Sequence, residues 1–303
     1  MGLMNNGRVN IVITNQVLRY SYHKNNNVVG MVVHGEVEFP EGTIKDGAIE
    51  NSGVFVEVVN ELVHKHKWKR KKLFFAVPDD TVVIRQLQVP AVLTKEEAAG
   101  YVKAQIGSSF YLPFSNPAIA IEFLEADEKN RDILLFAYPN DKISAYEEAF
   151  EKAGLKPMAA DLTSLSVYRY YYVSNPNQDG KNHVLLIHWN KDSLLLTAFN
   201  NHKAVFSRYV KISIDADSDE QAVRQLINEY TIEINRIIDF YQYSITKGEA
   251  QINQLLLSGD FPFMEMVKTT LTETVTIPIH HFENEKLTAK YIDVLGLALK
   301  KDS

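Results

Sequence analysis

The chain has 303 residues, room for about two domains at roughly 150 residues each. Its 46% apolar and 23% charged residues suit a soluble globular protein, and 32 Lys and Arg against 38 Asp and Glu give a net charge of −6, which excludes a general nucleic-acid binder because phosphate neutralisation needs a basic face. The absence of cysteine excludes disulfides, thiol catalysis and cysteine-ligated zinc, no run approaches the ~18 apolar residues of a membrane span, and the opening Met1–Arg8 has no apolar signal core.

The first segment reads as strands. Val9–Thr14 and Val17–Tyr22 are apolar, β-branched runs split by Asn15-Gln16, and Val28–His34 follows after the Asn25–Asn27 turn. Phe55, Val58, Val59, Leu62 and Val63 recur at helical spacing, which predicts a helix over Ser52–Lys67. Leu73–Val77 is a buried strand ended by Pro78-Asp79-Asp80, and Thr81–Val89 alternates as a strand up to Pro90. Thr94 with Glu97 forms a capping box for a helix reaching 105–110, closed by Pro113-Phe114. Ala118–Leu124 and Ile133–Ala137 read as strands around a charged turn. Lys142–Ala153 is a helix closed by Gly154, and Pro157–Asp161 leads into a further helix over Thr163–Tyr172.

Ser174–Lys181, polar and carrying Pro and Gly, is the best linker. After it the opening pattern recurs: strand Val184–Trp189, turn Asn190–Asp192, strand Ser193–Phe199, turn Asn200–His202, strand Ala204–Lys211. The repetition points to two related halves flanking a cleft. Ser218 with Gln221 then caps a long helix whose stripe runs through Val223, Leu226, Ile227, Tyr230, Ile234, Ile237, Ile238 and Tyr241, with Lys247-Gly248 ending the unit. A strand over Gln254–Ser258, a short helix over Met264–Leu271, a strand over Val275–Ile279 and a terminal helix over Tyr291–Lys300 complete the chain.

No G-x-G, G-G or Walker A string occurs among the 14 glycines, which excludes ordinary Rossmann and P-loop phosphate binding. The basic run His64–Lys72 has two readings, attraction to anionic lipid headgroups or a solvated helix end whose cations suit the macrodipole; the second is the expectation. His64 and His66 do not share a helix face and His280 and His281 diverge in a strand, so neither pair predicts a metal site. His188, at a strand end, reads as a hydrogen-bonded core histidine. Asp215, Asp217, Asp219 and Glu220 read as helix-capping anions rather than an acid–base pair. Ser164 and Ser166 lack a G-x-S-x-G context, so no hydrolase nucleophile is expected. Tyr168, Tyr171 and Tyr172 cluster at helical spacing and are expected to pack at the domain junction, with Tyr170 beside them.

Taken in order, several strings resemble the PilM family, cytoplasmic actin-like proteins of type IV pilus assembly related to FtsA, over nearly the whole chain. They are Leu73–Pro78 with Val83–Pro90, Tyr111-Leu112-Pro113-Phe114, Ala153–Pro157 with Asp161, Glu233 with Arg236 and Phe240-Tyr241, and Leu295–Ala298. The resemblance implies an α/β, actin-like (ribonuclease H-like) duplicated two-domain fold with an inserted subdomain. The first domain would span 1–175, with a core of 1–90 and 159–175 and the insertion at 91–158. The second would span 182–303, with a core of 182–212 and 251–303 and a smaller subdomain at 213–250.

The family binds ATP with two phosphate hairpins and a glycine-rich adenosine loop. Its first hairpin, D-I-G-S-S-S-V-K, falls on Val12-Ile13-Thr14-Asn15-Gln16-Val17-Leu18-Arg19, so that Val12 replaces the Asp and Thr14 the Gly. The second, D-I-G, falls on His188-Trp189-Asn190, and the adenosine loop on Leu257-Ser258-Gly259-Asp260, where one glycine is left. Hard cations need oxygen ligands, which Val12 lacks, and side chains at Thr14 and Asn190 crowd the approach to phosphate. The remnant cleft of Val12, Thr14, Asn15, His188, Asn190, Ser258 and Gly259 is therefore expected to hold no cofactor: no metal, no catalytic residue and, against the family pattern, no useful ATP–Mg²⁺.

The function implied is a non-catalytic scaffold of the pilus inner-membrane assembly platform. It would bind the short cytoplasmic N-terminal segment of PilN, a single-span membrane protein, in a groove between the first core and the insertion. Val89, Tyr101, Tyr111, Pro113 and Phe114 are the expected walls. Self-association is compatible with the resemblance, nucleic acid is not expected, and membrane contact would be indirect, placing the protein in the cytoplasm at the inner face of the cytoplasmic membrane. The alternative reading is an active actin-like ATPase that binds ATP–Mg²⁺ and polymerises. A sugar-kinase-like transferase would need a catalytic Asp in the cleft, and the chain has no D-x-G string.

Overall fold

The computed structural model describes residues 7–24, 31–176, 183–214, 219–282 and 289–301. The Asn25–Asn27 turn, the start of the third expected strand, most of the linker, and Asp215, Asp217 and Ser218 lie outside the described residues.

In the first half, β1 (Arg8–Ile13), β2 (Val17–His23) and β3 (Met31–Glu38) are followed by a small hairpin of β4 (Ile44–Lys45) and β5 (Ala48–Ile49), α1 (Ser52–His66) and β6 (Lys72–Val77). After a 3₁₀ turn at Asp79–Thr81 come β7 (Val83–Pro90), α2 (Lys95–Gln105), β8 (Pro117–Ala126), β9 (Asn130–Pro139), α3 (Asn140–Lys152), β10 (Lys156–Leu162) and α4 (Thr163–Ser174). The second half holds β11 (His183–Trp189), β12 (Ser193–Asn200), β13 (Lys203–Lys211), α5 (Glu220–Phe240) with a π turn at Tyr241–Ile245, β14 (Gln254–Ser258), α6 (Met264–Thr274), β15 (Ile279–His281) and α7 (Ile292–Ala298).

The expected duplication is present in the hydrogen bonding. The first sheet runs β10-β6-β1-β2-β3 and the second β15-β14-β11-β12-β13, each with parallel strands on one side of its central strand and antiparallel strands on the other. The two leading hairpins close alike, by Thr14 N–H to Val17 C=O at 2.9 Å and Asn190 N–H to Ser193 C=O at 2.7 Å. The runs Val9–Ile13 and Val184–Trp189 are wholly buried because both faces of each sheet are covered. On the first sheet, α1 and α3 bring Phe55, Tyr146 and Phe150 together, with ring centroids 5.5–5.7 Å apart; α5 covers the second sheet with Val223, Ile227, Ile234 and Ile237.

A third, three-stranded sheet runs β7-β9-β8, with α2 packing its apolar side on Val89, Ile133 and Leu135. The Thr94–Glu97 capping box opens α2 as expected, Thr94 Oγ1 accepting from Glu97 N–H at 3.3 Å and Glu97 Oε2 from Thr94 N–H at 2.9 Å. This unit takes in β7; α3, which lies within the expected insertion at 91–158, packs in the first core, as does β10, whose residues from Ala159 on are expected there.

Other elements differ locally from the sequence reading. Lys156–Leu162 is a strand rather than a lead-in to α4. Pro157 has no N–H to donate, and the sheet places it on the edge strand beside a bulge between Pro157 and Ala159, where that loss is tolerated. The cap of α5 is Asp219, whose carboxylate accepts from Ala222 N–H at 2.7 Å. The helix α6 runs on to Thr274 through threonines that bond back to carbonyls four residues earlier, and the following strand is displaced to Ile279–His281. Beyond Gln105 the chain leaves the helix and bridges Ile106 to Phe110.

The halves meet across α4 and α7. Tyr168 stacks on Phe199 of β12 at 3.8 Å, and Tyr171 is fully buried beside it, as expected of a junction; Tyr172 is exposed. The two helices cross so closely that a Cβ on Gly296 would lie 1.7 Å from Ser166 C=O. Gly296→Ala is therefore expected to cost about 1–3 kcal/mol through overpacking, read as a lower urea midpoint with unchanged m; an unchanged midpoint would contradict this packing.

Candidate functional site

The leading hairpins face one another across the cleft, with the loop after β14 beside them. Thr14, Asn15, Asp79, His188, Asn190 and Tyr209 surround the space left between them, about 20 Å³, room for about one water. Thr14 is spent on its own turn: its Oγ1 accepts from Gln16 N–H at 3.2 Å and Val17 N–H at 2.9 Å. Asn15 joins the halves, donating to Tyr209 Oη at 3.3 Å and accepting from Gly47 N–H at 3.0 Å. Val12 does not reach this space. It is fully buried in an apolar cluster with Phe74, Ala76, Val294 and Leu297.

In the second hairpin, one bond ties the ring of His188 to the loop after β14, while His188 Nε2, Trp189 Nε1 and Asn190 Oδ1 are buried without a partner. His188 Nδ1 pairs with Ser258 Oγ at 2.9 Å. Burial, reinforced by the Arg19 charge, pushes the His188 pKa down to about 3, so the ring is neutral. Gly259 has φ +123°, and a Cβ there would lie 2.0 Å from Trp189 C=O. This glycine is needed for close packing of the loop on β11, and that contact accounts for it without a ligand.

Arg19, on β2, holds these parts together. Its guanidinium is fully buried, donates to Asp293 Oδ2 of α7 at 2.9 Å, pairs with Asp260 of the loop after β14, and lies 3.5 Å from Glu36. Burial alone would lower its pKa, but Asp293, Asp260 and Glu36 together raise it. Asp260 Oδ1 also accepts from Lys191 N–H of the second hairpin at 3.0 Å, so one carboxylate ties both hairpins to the loop. Asp79 is equally engaged, accepting from Thr163 N–H at 2.7 Å and Ser164 N–H at 3.1 Å at the start of α4; burial nonetheless pushes its pKa up to about 6.

These residues do not fit a nucleotide–magnesium pair. The oxygen donor expected from the first hairpin is an apolar side chain in a packed core; in the second hairpin His188 Nδ1 is held by Ser258, and His188 Nε2 and Asn190 Oδ1 are buried without a hydrogen-bond partner. The buried guanidinium of Arg19 is neutralised by the protein's own carboxylates, and the remaining space suits a single water. Among the described residues, no group of three or more His, Asp or Glu could hold a metal ion, and no helix is long and apolar enough to cross a membrane. The sequence reading named the hairpin residues but not Arg19, Asp260, Asp293 or Asp79 as site residues. Arg19 and Asp260 stand within the strings onto which the family's first hairpin and adenosine loop fall, whereas Asp293 has no local signal and is found only by the fold.

The second concavity is an apolar groove of about 360 Å³ between the three-stranded sheet, α3, and the start of α4. Ile119, Ile121, Phe136, Tyr138, Ile143 and Leu165 supply its larger apolar walls. Because the successive residues Ala118–Glu122 all border it, it follows β8, the open edge of its sheet. The walls expected from sequence are elsewhere. Val89 is buried beneath α2, Tyr101 is exposed on α2, and Tyr111, Pro113 and Phe114 lie on the loop leading to β8, with Tyr111 and Pro113 exposed and Phe114 half-buried.

A family model described as type IV pilus assembly protein PilM matches residues 14–212, more than half of the chain. Among solved structures, the chain is similar to a PilM-PilN type IV pilus biogenesis complex, with TM-score 0.79 and 17% identity over 96% of this chain and 97% of that one. It is also similar to the ethanolamine utilization protein EutJ from Carboxydothermus hydrogenoformans, with TM-score 0.60 and 10% identity over 98% and 90% of the two chains. A Bacteroides thetaiotaomicron protein described as having an actin-like ATPase fold and unknown function gives TM-score 0.52 and 11% identity over 98% and 97%. The fold is the actin-like one, with two mixed five-stranded sheets.

The buried His188 makes a pH-dependent contribution to stability. Its folded pKa lies below the unfolded value of about 6.5, so this contribution is complete above that pH and falls away as the pH drops toward 3. Between about pH 7.5 and pH 5 the wild type is expected to lose roughly 2 kcal/mol more than His188→Gln in urea unfolding. Parallel losses in the two proteins would show that His188 is not held neutral.

Proposed function

The chain belongs to the PilM family of type IV pilus assembly proteins, and we propose that it serves there as a non-catalytic scaffold. It holds the short cytoplasmic segment of a PilN-like single-span membrane protein at the inner face of the cytoplasmic membrane. The observation that carries the non-catalytic part is the Arg19 cluster. Phosphoryl transfer relies on fixed cations and metal ions aimed at the phosphates, and in this cleft the available guanidinium is committed to Asp293 and Asp260.

The partner reading is supported by the groove along β8 and by the structural neighbour, which is a PilM-PilN complex. An extended segment laid along an open strand edge gains main-chain hydrogen bonds, while apolar side chains enter the pocket between Phe136, Ile143 and Leu165. Lys95 and Lys300 also line the groove, Lys300 beside the Arg169–Asp161 pair, and their charges can select orientation.

A peptide of the PilN cytoplasmic segment titrated by fluorescence anisotropy tests this reading. Ala120 is exposed and borders the groove, so Ala120→Arg is expected to weaken binding at least about tenfold, while Phe114→Ala stays within about twofold of wild type. Equal affinity for wild type and Ala120→Arg would remove the groove from the reading, and no binding to wild type would remove the partner.

A further inference from the structure

The basic run that closes α1 takes on a defined shape in the fold. Lys67 ends α1 in the left-handed conformation at φ 58°, and Arg70 turns again at φ 62°. Between them Trp68 is only 2% exposed, stacked on His66 at 4.6 Å and edge-on to Tyr20 at 5.5 Å. The tryptophan thus anchors the double turn while Lys67 and Lys69 on either side face solvent. Arg70 N–H donates to Gly154 C=O at 2.7 Å and Lys156 N–H to Lys71 C=O at 2.9 Å, which sews this turn to the chain between α3 and β10.

The fold also gathers cations that are distant in sequence. Lys72 and Lys156 are direct neighbours across β6 and β10, at the same end of the first sheet. Lys67, Lys69, Arg70, Lys72 and Lys156 are exposed and Lys71 is half-buried, all on one side of a protein whose net charge is −6. Glu151 stands beside them, lining the shallow concavity under Lys69, Arg70 and Lys156. Among the described residues, no carboxylate is paired with Lys67, Lys69, Arg70 or Lys156.

We propose that this platform is a docking surface for an anionic lipid bilayer. Its chemistry favours a membrane over nucleic acid. Five of the six cations are lysines, point charges without the bidentate fork of arginine, and the run's tryptophan, Trp68, is buried and cannot stack on a base. Geometry agrees, because a bilayer meets one face only. Carboxylates on the other faces are screened beyond a Debye length of about 8 Å, with Glu151 the acidic residue lining the concavity itself, whereas a polyanion that wraps would meet repulsion from those faces. The attraction is additive, with each lysine or arginine near the surface strengthening binding several-fold.

Co-sedimentation of the full chain with phosphatidylcholine vesicles, with and without about 30 mol % phosphatidylglycerol, tests the platform. Wild type is expected to bind the anionic vesicles at least about tenfold more tightly than the neutral ones, and to release them when salt is raised to about 0.5 M. Lys69→Glu with Lys156→Glu is expected to lose at least about tenfold in affinity, whereas Lys103→Glu with Lys129→Glu, an equal charge change on the exposed surface of the three-stranded unit, keeps wild-type binding. A shared melting temperature for the two double variants excludes misfolding. Equal binding to both vesicle types, equal loss in both variants, or tighter binding to a DNA duplex of about 20 base pairs would each overturn the proposal.

Discussion

A guanidinium withdrawn fully from water must be neutralised where it sits, and in this protein Arg19 imposes that requirement on the whole cleft. Its partners come from distant parts of the chain: Asp260 after β14 of the second sheet, Asp293 on α7, and Glu36 on β3 of its own sheet. Removing one partner of a buried charge pair typically costs about 3–5 kcal/mol, because the other charge is left without compensation. Asp260 is the partner that the second sheet's loop brings to Arg19, whereas Asp293 lies on α7, packed against the first sheet, and Glu36 on β3. In an actin-like cleft a bound polyanion and its metal could bridge the halves; here carboxylates of the chain itself meet the cation.

The neighbouring residues are consistent with that arrangement. Val12 contributes to an apolar cluster beneath α7, and α7 in turn carries Asp293 to Arg19. Gly259 lets the loop lie on Trp189, which places Asp260 between Arg19 and the Lys191 amide. A framework fixed from within leaves the outer surfaces to carry function. The groove and the basic platform lie at opposite ends of the same two strands: Lys72 and Lys156 open β6 and β10 on the platform, and Val77 and Leu162 close them at the groove. At about 3.3 Å per residue the two surfaces are roughly 17 Å apart along the strands.

Much of the fold was legible in the chain because its strongest signals are local. Alternating β-branched runs, the Thr94–Glu97 box and Gly154 at a helix end each act within a few residues, and the doubled strand-turn-strand opening is visible in the string itself. The misreadings arose where tertiary context decided. Pro157 disguised an edge strand, and helical threonines carried α6 past its expected end. The residues at Val12, Thr14 and His188 were legible in the string, but the Arg19–Asp293 pair was not, because it spans 274 positions and no spacing rule reaches so far. The apolar groove was not legible for a similar reason: Val89, Tyr101, Tyr111, Pro113 and Phe114 stand out in the string, while the cavity forms along β8 only after three units pack together.

The claim that the cleft is closed by its own charges meets its most direct test in calorimetric titration of the wild-type chain with ATP and Mg²⁺. The account requires no binding tighter than about 1 mM and no rise in melting temperature. Stoichiometric binding at micromolar concentration, with thermal stabilisation to match, would contradict it, since a triphosphate could enter only by displacing Arg19 from Asp260 and Asp293.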